Sequence, residues 1–337
     1  MIITRTPYRV SFFGGGTDYP AYYLKHGGKV LGTAIDKYCY LNIRKLPPFF
    51  DHKYRIVYSK MENVNSIEEI THPSVRETLK YLKIDYGVSI HHDGDIPARS
   101  GMGSSSAFTV GLLNSLYALE GKVISKRDMA FEAINIEQEL IKEHVGSQDQ
   151  VFAAYGGLNV INFLANGEIV VEPIIMTPDK FEDFENKFML FFTGFSRTAD
   201  KIAADKIKNL PNNGASLSRM KDLVDEGYKI LISKNRDLRE FGELLSENWK
   251  LKKTLSVKIS MPEIDEMYEI AIKNGAIGGK LLGAGGGGFI VFYVEPENKL
   301  KVEIALKKYL HVPFKFDFDG SRIIVYKPVR ERLVRNG

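Results

Sequence analysis

Gly101-Met102-Gly103-Ser104-Ser105-Ser106-Ala107 follows Ile96-Pro97-Ala98-Arg99-Ser100 and opens a long apolar run from Phe108 to Leu119. Glycine lets backbone approach a ligand closely, and the free N–H groups at a helix start point at an anion that the helix dipole favours. The three serine hydroxyls add donors and oxygen ligands for a hard cation such as Mg²⁺. The segment reads as a cradle for nucleotide phosphates. It is not the Gly-x-x-x-x-Gly-Lys-Ser/Thr loop, nor the dinucleotide fingerprint, whose third glycine lies two residues further on. A Gly/Ser turn ahead of a core helix is the alternative that this segment alone leaves open.

Around it, the first sixty residues read as strands: Ile2–Arg5, Val10–Phe13, Lys29–Ile35, Tyr38–Arg44 and Tyr54–Tyr58. A helix near Ser74–Leu82 and a strand Gly87–His92 precede the loop. Helices Ser104–Leu119 and Lys126–Glu143 follow it, the second with a Ser125-x-x-Asp128 capping signal. Leu158–Phe163 and Ile169–Ile175 form a hairpin pattern, and Phe188–Thr193 a buried strand. Beyond it the chain turns helical: Ala199–Lys208, Ala215–Ser233, Asn235–Leu251 and Met261–Asn274, then strands Gly288–Val294 and Ile323–Tyr326 around a helix near Leu300–Leu310. The fold class expected is α+β in two domains, 1–185 and 186–337.

The 337 residues are 44% hydrophobic and 26% charged, with a net charge of +4. A pI near 8.8 without a basic patch argues for an anionic small ligand and against nucleic acid. The one cysteine, Cys39, sits in an apolar run, which excludes an intrachain disulfide and suits a reducing cytoplasm. No stretch of 18 apolar residues offers a membrane span, and Met1–Arg5 enters a strand without a signal-like apolar core.

Two further glycine clusters adjoin apolar strands: Arg9-Val10-Ser11-Phe12-Phe13-Gly14-Gly15-Gly16-Thr17-Asp18-Tyr19, and Lys280-Leu281-Leu282-Gly283-Ala284-Gly285-Gly286-Gly287-Gly288-Phe289. Together with the serine loop they fit backbone surfaces converging on one cleft. Glu137 falls mid-way across the apolar face of its helix, a position that demands a buried ion pair or a metal. Downstream, Gly146-Ser147-Gln148-Asp149 presents an acid either as the first turn of a helix or as a carboxylate that orients and deprotonates a hydroxyl.

These clusters resemble the GHMP kinases over nearly the whole chain, with the three family motifs in order. Arg9–Tyr19 is similar to the substrate motif Gly-Arg-Val-Asn-Leu-Ile-Gly-Glu-His-Thr-Asp-Tyr. Pro97–Ala107 is similar to the phosphate loop Pro-x-x-x-Gly-Leu-Gly-Ser-Ser-Ala, with Met102 for leucine and Ser106 for the first alanine. Gly283–Gly288 is similar to the C-terminal glycine motif. Within the superfamily, Phe12–Pro20 and Val145–Gln150 most resemble the D-glycero-D-manno-heptose 7-phosphate kinases, and Gly14-Gly15-Gly16 departs from the Gly-Glu-His of galactokinases.

The resemblance implies a ribosomal-S5-like N-terminal domain and a ferredoxin-like C-terminal domain with ATP between them. Pro97, Gly101, Met102, Gly103, Ser104, Ser105 and Ser106 would form the ATP phosphate loop. Ser105 and Glu137 would hold Mg²⁺, Asp149 would be the catalytic carboxylate and Arg9 would assist at the γ-phosphate. Gly14, Gly15, Gly16, Thr17 and Asp18 would face the sugar, with Gly285, Gly286 and Gly287 completing the cleft. Arg197, or else Lys280, would grip the sugar phosphate. The implied product, heptose 1,7-bisphosphate, would feed a nucleotide-activated heptose for surface polysaccharide. A kinase for fucose or galactose, and a non-catalytic sugar-binding regulator, are the competing readings. The partners expected are sugar phosphate and ATP, on a monomer or homodimer.

Overall fold

The computed structural model describes residues 1–195 and 213–327. The expected helix Ala199–Lys208 and the candidate Arg197 lie outside the described residues. In chain order the elements are β1 (Ile2–Phe13), α1 (Pro20–His26), β2 (Gly28–Lys45), β3 (Tyr54–Val57), β4 (Met61–Val64), α2 (Pro73–Tyr81), β5 (Val88–Gly94), α3 (Ser104–Leu119), α4 (Lys126–Asn135), α5 (Gln148–Tyr155), β6 (Leu158–Phe163), β7 (Ile169–Pro173), α6 (Pro178–Glu185) and β8 (Phe188–Phe192). Then come α7 (Gly214–Ile232), α8 (Arg239–Thr254), α9 (Pro262–Lys273), β9 (Ala276–Leu281), β10 (Phe289–Val294), α10 (Lys299–Ala305), β11 (Leu310–His311) and β12 (Arg322–Tyr326).

Two sheets organise these elements. The larger has eight strands, with order β12-β1-β2-β5-β3-β4 and β6 and β7 extending from β2; the smaller runs β11-β8-β10-β9. The α+β expectation holds: among the named strands, only β3 and β5 run parallel. The sequence reading splits β1 and β2 into two strands each, whereas each is continuous. The interruption is a bulge: Pro7 pairs with Tyr38 and Tyr8 with Ile35, leaving Asp36 and Lys37 extra, which lets a proline sit inside a strand. β9 escaped the reading because Ala276-Ile277-Gly278-Gly279-Lys280-Leu281 lacks the β-branched density of a strand. The short helices α1 and α6 escaped it as well. Lys126–Glu143 is not one α-helix: α4 ends at Asn135 and a π-helical turn spans Ile136–Leu140, where Ile141 N–H reaches back to the Ile136 carbonyl. Ser125 caps α4 as expected, accepting from Asp128 N–H at 3.0 Å.

α3 lies along β1 and β2 and is buried on nearly every side, which explains why its run is apolar all round. Cys39 is buried in this core, and burial pushes its thiol pKa well up. Phe12 at the end of β1 stacks on Phe188 of β8 at 4.9 Å between centroids and meets Phe241 of α8 edge-on at 5.4 Å. This aromatic joint fuses the two sheets where the glycine clusters emerge.

Candidate active site

A cavity of about 530 Å³ opens between the two sheets. β1 ends on its floor, α3 and α5 point their N-termini into it, and the turn after β9 forms the opposite wall. Gly103, in the left-handed region at φ 76°, is the N-cap of α3; no side chain caps the helix there, so its first N–H groups are left for an anion. Gly101, Gly103, Ser104, Ser105 and Ser106 line the cavity; Met102 is buried beneath it, and Pro97 stands exposed outside the lining.

Arg9 ties this loop to Asp149. Its Nε and Nη2 donate to Asp149 Oδ1 and Oδ2, each at 2.8 Å, while Nη1 donates to the Gly101 carbonyl at 2.7 Å. Both residues line the cavity; the Arg9 side chain is 5% exposed and Asp149 25%, so the carboxylate is the more open of the two. A planar fork holding both oxygens fixes the carboxylate plane as a lysine would not. Asp149 sits in the first turn of α5, which is the helix start that the sequence offered as one reading of this acid.

Glu137 is fully buried behind the loop. Oε2 accepts from Ser106 Oγ at 2.8 Å and from Gln150 Nε2 at 2.5 Å, while Oε1 has no partner. Among the described residues no Arg or Lys pairs with it; its partners there are Ser106 and Gln150. Burial, reinforced by the charge of Glu143, pushes its pKa up to about 8. The hydroxyl that meets Glu137 is that of Ser106; Ser105 faces the cavity. The π turn places the carboxylate here, a pattern that sequence periodicity does not register.

The first glycine cluster turns β1 into the cavity wall. Gly15, Gly16 and Asp18 line the cavity. Gly14 and Thr17 do not; Thr17 Oγ1 donates to the Gly14 and Lys29 carbonyls at 2.8 and 2.9 Å and closes the turn. Asp18 is buried, accepting from Gly16 N–H at 2.7 Å and Gln148 Nε2 at 2.8 Å. A Cβ on Gly146 would stand 2.0 Å from Asp18 Oδ2, so only glycine lets the 141–147 loop pass that carboxylate.

In the third cluster Gly283 and Ala284 reach the cavity, while Gly285, Gly286 and Gly287 pack behind it. Gly286 N–H donates to the Ile259 carbonyl at 2.9 Å. A Cβ on Gly283 would come within 2.4 Å of Gly101 Cα. The glycines here serve contact between two backbones as much as contact with a ligand. Lys252 donates to the Leu281 and Gly283 carbonyls at 2.7 and 2.6 Å, and Lys280 to the Phe12 carbonyl at 2.9 Å; both lysines line the cavity.

The model of the GHMP kinase N-terminal domain matches residues 71–157, and that of the C-terminal domain matches residues 229–311. A Campylobacter jejuni protein named D-glycero-alpha-D-manno-heptose 7-phosphate kinase is 30% identical over 317 residues, 91% of this chain and 93% of its own. The chain belongs to the GHMP kinases. An Arabidopsis thaliana bifunctional fucokinase/GDP-fucose pyrophosphorylase is 25% identical over 88% of the kinase, which spans 30% of that longer protein. In three dimensions the kinase is similar to a Bacteroides thetaiotaomicron D-glycero-D-manno-heptose 1-phosphate kinase, at TM-score 0.79, 24% identity and coverage of 97% and 100%. At that identity the likeness establishes the fold.

The kinase is therefore an ATP-dependent sugar kinase, and its cavity is where the three motifs meet. The sequence reading missed Ser11, Gln148, Lys252 and the Lys142–Gly146 loop, all of which line it. Ser11 lies inside the Arg9–Tyr19 motif and Gln148 inside Val145–Gln150, so those segments carried a signal for both; nothing in the sequence marked Lys252. No helix among the described residues is long and apolar enough to cross a membrane.

Proposed function

We propose that the kinase transfers the γ-phosphoryl group of ATP to the anomeric hydroxyl of D-glycero-D-manno-heptose 7-phosphate, giving the 1,7-bisphosphate and ADP. The observation that carries this reading is the 30% identity to the Campylobacter jejuni heptose 7-phosphate kinase over 91% of the chain. In this reading the α3 N-terminus and Gly101–Ser106 cradle the ATP phosphates. Asp149 accepts the proton of the attacking hydroxyl as the O–P bond forms, and Arg9 keeps that carboxylate in one plane beside the phosphate loop. Such transfer depends on positioning and charge neutralisation more than on covalent chemistry.

Mg²⁺ is the cation proposed. Glu137, with an unpartnered buried Oε1 and a pKa that a nearby cation would lower, fits as a ligand, with the cavity-facing hydroxyl of Ser105 as its companion. Bound there, the cation would neutralise β- and γ-phosphate charge. Arg197, on its sequence position alone, and Lys280, on the cavity wall, are proposed for the 7-phosphate. Residues 1–185 would supply the substrate motif, phosphate loop and Asp149, and 186–337 the third motif, with β12 returned to the first sheet. The cytoplasm is the proposed location and surface polysaccharide synthesis the proposed use of the product.

ADP release measured across free and phosphorylated heptoses, fucose and galactose tests the reading. Turnover confined to the 7-phosphate supports it. Equal turnover of the unphosphorylated heptose, or preference for fucose, replaces it with a kinase for a free sugar.

A further inference from the structure

Two cavity-lining side chains that lie within the quoted motifs, but were given no role there, carry unsatisfied polar atoms. Ser11 is 5% exposed and Gln148 8%, and Ser11 Oγ and Gln148 Oε1 are both without a partner. Leaving such groups unpaired in a buried place costs about 1–3 kcal/mol each, so their persistence at a cavity wall points to a ligand that satisfies them. They meet beside Gly15, on the cavity wall. A Cβ on Gly15 would lie 3.7 Å from Ser11 Oγ and 3.7 Å from Gln148 Nε2, in ordinary contact with both, so the two side chains border the same spot beside Gly15.

The orientation of the Gln148 amide is set by its neighbour. Nε2 donates to Asp18 Oδ2 at 2.8 Å, and a flipped amide would press its oxygen on that carboxylate. Oε1 is therefore an acceptor. Asp18 Oδ1 is occupied by Gly16 N–H, so the corner as a whole is rich in acceptors and negative in charge. A phosphate is repelled from it; a neutral hydroxyl, giving its proton to Gln148 Oε1 and taking one from Ser11 Oγ, is held. Ser11 reaches this position because the register of β1 against β2 shifts between Ser11 and Phe13, the kind of bulge that re-aims a side chain at a strand end. Gln148 directly precedes Asp149 in the first turn of α5, so the hydroxyl held here lies on the sugar close to the one that reacts.

We infer that Ser11 and Gln148 form a subsite for one ring hydroxyl of the acceptor sugar and are specificity-determining residues of this kinase. The phosphate-bearing end of the sugar points away from them. The inference rests on the sugar-kinase reading and not on which sugar is used.

The test takes the best sugar from the turnover panel, whatever it proves to be, together with its monodeoxy analogues. Ser11→Ala removes a hydroxyl that makes no bond within the protein, so its thermal midpoint should not fall. Its KM for the sugar should rise about tenfold, with the KM for ATP unchanged. One monodeoxy analogue should bind wild type about tenfold more weakly by calorimetry and should bind Ser11→Ala no more weakly than it binds wild type. Gln148→Met should raise the sugar KM further, since it also releases Asp18. A sugar KM within twofold of wild type in Ser11→Ala, or an equal penalty for every deoxy analogue in both proteins, overturns the inference. A panel that favours fucose with these effects intact overturns only the heptose reading.

Discussion

Ser106 Oγ stands 2.8 Å from Glu137 Oε2, joining the first turn of α3 to the π turn that follows α4. Gln150, from α5, shares the same oxygen. Three helical segments thus agree on where one carboxylate points, and Oε1 is left without a partner.

Glu137→Gln keeps the shape and the acceptor for Ser106 but removes the charge. Burial raises the Glu137 carboxyl from 4.5 to about 8, so between those values the folded chain holds a proton that the unfolded chain has lost. Stability in EDTA should therefore fall as pH rises through that window, by at most about 1.4 kcal/mol per unit. The variant should lose this decline and melt no lower than wild type at pH 8. Its Mg²⁺ requirement for half-maximal rate should rise more than tenfold. An unchanged metal requirement, read from a Mg²⁺ titration at saturating ATP, would remove Glu137 from the cation site.

Asp149→Asn should reduce kcat by about 10²–10⁴-fold while calorimetry still detects an unreactive ATP analogue. It also leaves the buried Arg9 with only a neutral partner, at a cost of about 1–3 kcal/mol in urea unfolding. A kcat within threefold of wild type would show that the carboxylate is not part of the transfer.

Gly283→Ala places a methyl group 2.4 Å from Gly101 Cα at a backbone φ of +66°. It should destabilise the fold by about 1–3 kcal/mol and raise the KM for ATP, because the phosphate loop must shift to make room. Gly121→Ala, in open space at a comparable φ of +70°, separates backbone strain from the clash. If the two variants have equal ATP KM values, the contact between the loops does not hold the phosphate loop in place.

Much of this site is visible in the chain before it folds. The serine loop, the first turn of α3 and the glycine clusters announce themselves because close backbone approach admits few residue types. Asp149 and Arg9 were legible through the family motifs, yet their 2.8 Å fork joins residues 140 positions apart, and no local pattern encodes that. Glu137 was legible as an anomaly on an apolar face. Its partners were not, since the π turn alters the periodicity by which neighbours are counted. Gly285–Gly287 were read as cleft residues because composition cannot say whether a glycine makes room for a ligand or for another strand of backbone.

β12, close to the end of the described chain, pairs with Ile2–Arg5 at the start of β1. Until those residues leave the ribosome, β1 carries an open row of hydrogen-bonding groups on that side. The strand that runs on to Arg9 and Ser11 thus keeps an open edge until Arg322–Tyr326 has been made. The edge of the first sheet is thus closed by a segment that follows every element of the second sheet in sequence, so the strand bearing Arg9 and Ser11 depends on β12 for its outer row of hydrogen bonds.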